Sequence, residues 1–140
     1  MRHGRLLVLV VLVLALTAPA PAAAGPIAHR EVLPNGVVLL VAERPGVPIV
    51  AVRVFTAAGS AFEPPARAGL ASLTGALLTR GTARHTGPQI DEAIEFVGGS
   101  LEAGAARDGL TASLSVLKRD LGLGLDLLSE VVLTPTFPDA

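Results

Sequence analysis

The chain has no cysteine, which excludes a disulfide framework and a lipid-modified N-terminal cysteine. Its fold must therefore be held by a hydrophobic core. It has no run of about twenty apolar residues, so a membrane-spanning anchor is not expected; the longest run, residues 6–16, is soon followed by Pro19 and Pro21. It has no basic excess, with 11 Lys and Arg against 12 Asp and Glu, and so lacks the positive patch that nucleic acid requires. It has no G-x-S-x-G elbow and no histidine beside Ser72, which argues against a serine nucleophile. His3, His29 and His85 have no histidine or acid at i+3 or i+4. They read as isolated residues, His29 and His85 on the surface, and not as half of a zinc pair.

What is present begins with an export pattern. Met1-Arg2-His3-Gly4-Arg5 is basic, residues 6–16 are apolar, and residues 18–24 are small residues and prolines. That is the layout of a secretory signal peptide. Cleavage is expected after Ala24, with Ala22 as an alternative, so residues 1–24 would be removed and the product would carry no membrane segment. Residues 25–30 read as a lead-in and residues 31–140 as the folded part. Loss of Arg2 and Arg5 leaves nine basic residues against twelve acidic ones.

Residues 31–43 read as a strand with Pro34-Asn35-Gly36 as a turn or bulge. Residues 37–41 are apolar on both faces, and burial is expected for them. Residues 49–57 form a second strand, most simply the antiparallel neighbour of the first. Residues 68–82 read as a short helix after Pro64-Pro65, with Leu70, Leu73, Leu77 and Leu78 as the apolar stripe and Gly81 as the stop. Its opposite stripe, Ser72, Gly75 and Ala76, is uniformly small. Thr86-Gly87-Pro88-Gln89 is a capping box that opens a second helix ending at Gly98-Gly99. Asp91, Glu92 and Glu95 read there as solvated charges in the helix and not as metal ligands. Residues 100–117 alternate as a hairpin around Arg107-Asp108-Gly109. A third helix runs from Arg119 or Asp120 to Val132, with Leu121, Leu125, Leu128 and Val132 as its stripe. The order β-β-α-α-β-β-α predicts an α+β fold, a mainly antiparallel sheet with helices on one face.

Gly69-Leu70-Ala71, five further residues, then Leu77-Leu78 and Gly81-Thr82 resemble the signature helix of the insulinase/pitrilysin-type metallopeptidases, the inverzincins. The preceding segment, residues 58–65, follows the same family layout. Competent members carry H-x-x-E-H in the five central positions. The two histidines hold Zn²⁺, the glutamate is general base for a zinc-bound water, and a downstream glutamate completes the ligand set. In this chain Ser72 stands at the first histidine position, Gly75 at the glutamate and Ala76 at the second histidine.

The resemblance implies a half-domain of the insulinase and mitochondrial-processing-peptidase type, the opening part of a longer protein built from two related halves. It implies no catalytic residue and no metal ligand in this segment, which alone is expected to be inactive. Zinc is expected only in a catalytic partner or in the other half. By the same resemblance the strand after the paired glycines, Gly99, Ser100, Leu101, Glu102 and Ala103, is a candidate edge for pairing with an extended peptide; an ordinary sheet strand is the alternative. Glu102 replaces an asparagine frequent in relatives. The implied role is a periplasmic, non-catalytic bacterial subunit that pairs with a zinc-bearing homologue and helps bind peptide substrates. Two alternatives remain open: a zinc metalloendopeptidase whose H-x-x-E-H lies outside these residues, and a structural or binding module of the same fold.

Overall fold

The computed structural model describes residues 28–137 and divides the chain between Pro45 and Gly46 into two units. The signal-peptide and cleavage assignments fall outside the described residues. In the first unit β1 (His29–Val32) and β2 (Val38–Val41) form an antiparallel hairpin, with His29 opposite Val41 and Val32 opposite Val38. Pro34-Asn35-Gly36 is a true turn. Gly36 takes φ +84° and donates to the Leu33 carbonyl at 2.8 Å, while Asn35 Oδ1 accepts the Val37 N–H at 3.1 Å. The expected single strand is thus two. Two strands provide no second layer, and residues 37–41 are 40–64% exposed, not buried as expected.

The second unit is a three-stranded antiparallel sheet with three helices. The strands are β3 (Ile49–Thr56), β4 (Ser100–Ala105) and β5 (Leu110–Leu117), in the order β3-β5-β4. Within this unit β3 pairs with β5, with Val52 opposite Leu114. The helices are α1 (Leu70–Leu77), α2 (Gly87–Phe96) and α3 (Leu121–Leu133). The alternation in β5 explains the layering. Ala112, Leu114 and Val116 are buried in one cluster with Leu78, Ile90 and Ile94, and with Leu127, Leu128 and Val131 of α3. Thr111, Ser113 and Ser115 lie on the other face, where Arg53 Nε reaches Ser113 Oγ at 3.3 Å. The α+β class, with its antiparallel sheet and helices on one face, is the one expected from sequence; the element order gains one strand.

Helix ends follow local chemistry. Gln89 Oε1 accepts the Thr86 N–H at 2.9 Å, completing the capping box of α2. The second helix turns Ile90 and Ile94 inward as expected, and Leu78, Leu121, Leu128 and Val132 also meet the core, but the inward faces of α1 and α3 differ in part from expectation. In α1 the buried residues are Ala71 and Gly75, whereas Leu70 and Leu73 are 45% and 57% exposed. In α3 the buried set is Gly124, Leu127, Leu128, Glu130 and Val131, and Leu125 is exposed. The cause is shared. Each helix turns a glycine to the sheet, so backbone approaches where side chains would otherwise stand. A Cβ on Gly124 would lie 2.9 Å from Leu114 Cδ2 and 3.2 Å from Val116 Cγ1.

Candidate functional site

The site begins at the entry to α1. Glu63, in the loop that leaves β3, turns its carboxylate onto the helix start: Oε2 accepts the Gly69 N–H at 2.8 Å and Oε1 accepts the Ala71 N–H. Gly69 takes φ +95°, a left-handed conformation that favours glycine, and so turns the chain into the helix. A negative group at the helix N-terminus is also favoured by the helix dipole. Glu63, a frame residue of the sequence motif, is thus the clamp that orients this helix.

Along α1 the three motif positions separate. Ser72 and Ala76 are exposed; Gly75 is buried. Gly75 lies against β4 so closely that a Cβ there would stand 2.7 Å from the carbonyl carbon of Gly104 and 2.8 Å from the nitrogen of Ala105. The small face therefore serves, at Gly75, for close approach of a strand. Zinc does not fit this surface. Serine and alanine offer no imidazole, the position for a general base has no room for a side chain, and no group of three or more His, Cys, Asp or Glu suited to a metal occurs among the described residues.

The candidate peptide-binding residues lie on the same strand. β4 is an edge: it pairs with β5, and its other side is unpaired among the described residues. Leu101 is buried in the core and Ala103 packs against it. Ser100 and Glu102 are exposed on the helix-free face, and Gly99 precedes the strand in a tight seat, where a Cβ would meet Val116 Cγ1 at 2.8 Å. The fold brings the degenerate helix and this edge together, since Gly75 abuts residues directly after the candidate segment.

A second cluster joins residues far apart in the chain. Glu130 of α3 is 5% exposed, and its carboxylate accepts from Thr82 Oγ1 at 2.8 Å and from Arg84 Nη2, with His85 Nδ1 at 2.8 Å. His85 is therefore not a bare surface histidine: it is half-buried and held by a carboxylate. The loop that carries these donors also pairs with the segment after α3: Ala83 N–H donates to Thr134 at 3.0 Å and Thr136 N–H to Gly81 at 3.1 Å. Burial alone would push the Glu130 carboxyl up, but hydrogen bonds from His85, Thr82 and Arg84 outweigh it and hold it below the usual carboxylate range. The local signal for this residue was an acid set inside the apolar turn of Leu127, Leu128 and Val131.

The family model for "Insulinase (Peptidase family M16)" matches residues 38–140. The chain belongs to the insulinase family. This insulinase-family chain is 36% identical over 104 residues to an uncharacterized zinc protease of Mycobacterium leprae, covering 74% of this chain and 23% of that protein. It is 28% identical over 116 residues to a probable mitochondrial-processing peptidase subunit beta of Arabidopsis thaliana, covering 83% of this chain and 22% of that protein. The crystal structure of a peptidase M16 inactive domain from Pseudomonas fluorescens superposes with a TM-score of 0.74 at 33% identity, over 79% of this chain and 27% of that one. The chain thus spans about a quarter of the length of these relatives.

Proposed function

We propose that this insulinase-family chain belongs to a non-catalytic subunit, exported to the periplasm, that pairs with a zinc-bearing homologue and offers peptide a strand edge. The observation that carries the proposal is the state of α1: no imidazole at 72 or 76, and a glycine pressed onto β4 at 75. Likeness to an inactive domain supports the loss of chemistry, and likeness to a peptidase subunit supports pairing. The unpaired side of β4 supports peptide addition, because strand pairing draws its affinity from main-chain hydrogen bonds that any side chain permits. Export rests on the pattern of residues 1–24 alone.

Co-expression with a zinc-bearing homologue tests the pairing. The expected result is co-purification, with peptide hydrolysis at least about tenfold faster for the pair than for the homologue alone, a difference of about 1.4 kcal/mol in the barrier. A homologue that purifies alone at full activity contradicts it. The relative named a zinc protease supports a second reading, in which the whole protein carries H-x-x-E-H outside these 140 residues. Zinc-dependent hydrolysis by that whole protein, with no homologue present, is the result that selects it.

A further inference from the structure

We infer that position 75 has changed its role from a reaction centre to a helix–strand seam, so that zinc-peptidase chemistry cannot be rebuilt on α1 by replacing side chains. The three motif positions are unequal. Ser72 and Ala76 are exposed, and histidines there would extend into open space one helical turn apart. Gly75 is closed, and what closes it is backbone: the Gly104 carbonyl carbon at 2.7 Å, the Gly104 Cα at 2.8 Å and the Ala105 nitrogen at 2.8 Å from where a Cβ would stand. A clashing side-chain tip can rotate away. Strand backbone can yield only if α1 or β4 moves as a body. Because β4 is an edge strand held on one side by β5, α1 is its second support. The inference does not depend on peptide binding or on pairing.

The sign of one substitution tests it. Helix propensity alone makes Gly75→Ala stabilising, by roughly 5 °C in melting temperature for a unit of this size. The seam makes the same change destabilising, because even one added carbon forces the helix off the strand. The expected result is a lower melting temperature for Gly75→Ala, with amide exchange at residues 103–105 faster by about tenfold and exchange in β3 unchanged. Gly104→Ala is the control. Its added carbon meets nothing within 4 Å and its backbone suits alanine, so the melt should stay at the parent value or rise slightly, and should not fall. A second pair of variants addresses zinc directly, with zinc chloride as the probe. Ser72→His with Ala76→His should melt like the parent and acquire a weak zinc site by calorimetry; adding Gly75→Glu should lower the melt by roughly 10 °C or more. A rise in melting temperature for Gly75→Ala overturns the inference. So does a triple variant that melts with the double variant.

Discussion

Leu114→Ala is expected to destabilise the larger unit by about 3–4 kcal/mol and to lower its melting temperature by roughly 15 °C. Leu114 is 2% exposed at the centre of the middle strand, opposite Val52 on β3 and Leu101 on β4. Its two methyl groups fill the space that Gly124 leaves open on α3, at 2.9 and 3.1 Å from where a Cβ would stand. Truncation empties that space from one side. The helix cannot settle into it without breaking its contacts at Leu127, Leu128 and Val131. The same geometry gives a coupled prediction. Gly124→Ala alone should crowd Leu114; in the Leu114→Ala background only the looser contact with Val116 Cγ1 at 3.2 Å remains, and the gain in helix propensity outweighs it. The double variant should then be more stable than Leu114→Ala alone, and a urea-denaturation cycle reads the coupling. Strict additivity would show that the two residues do not share this space.

Glu130→Ala should cost about 3 kcal/mol, because it leaves the buried Thr82 hydroxyl only the longer contact with the His85 carbonyl at 3.3 Å and removes an anion that three donors hold. Arg84 is 64% exposed and can return to water, which keeps the loss below that of a fully buried ion pair. Glu130→Gln retains shape and one acceptor and should cost about half as much. The pH dependence follows from the lowered carboxyl. A carboxyl depressed in the fold contributes its full stability above the unfolded value, near 4.5, and loses it as pH falls through the folded value. Wild type and Glu130→Gln should therefore differ most at neutral pH and converge in acid. Melting curves that keep their separation well below pH 4 would show that ionisation of Glu130 is not what stabilises the loop.

Local chemistry was readable in the sequence; partners far along the chain were not. The capping box at Thr86 and Gln89, the turn at Asn35-Gly36 and the alternation of residues 110–116 each depend on neighbours a few positions away, and each formed as expected. The β3–β5 pairing joins residues some sixty positions apart, such as Arg53 and Ser113, and nothing local specifies it. The clasp at Glu130 spans 45 to 48 positions to His85 and Thr82, which is why His85 read as an isolated histidine. Leu78, Ile90, Ile94, Leu121, Leu128 and Val132 meet the core as their spacing predicts, whereas Leu70, Leu73 and Leu125 do not, for a different reason. A size rule assigns leucines to the inside, but Gly75 and Gly124 bring backbone to the sheet and rotate Leu73 and Leu125 outward. The same small face was legible as a missing zinc motif, yet only the structure distinguishes its two open positions from its closed one.

Helix α1 keeps the frame of a zinc-peptidase helix without the groups that bind metal. Metal analysis of the purified chain after exposure to zinc and dialysis addresses it most directly. No stoichiometric zinc is expected. One zinc ion per chain, lost on Ser72→Ala and so held at that surface, would contradict it.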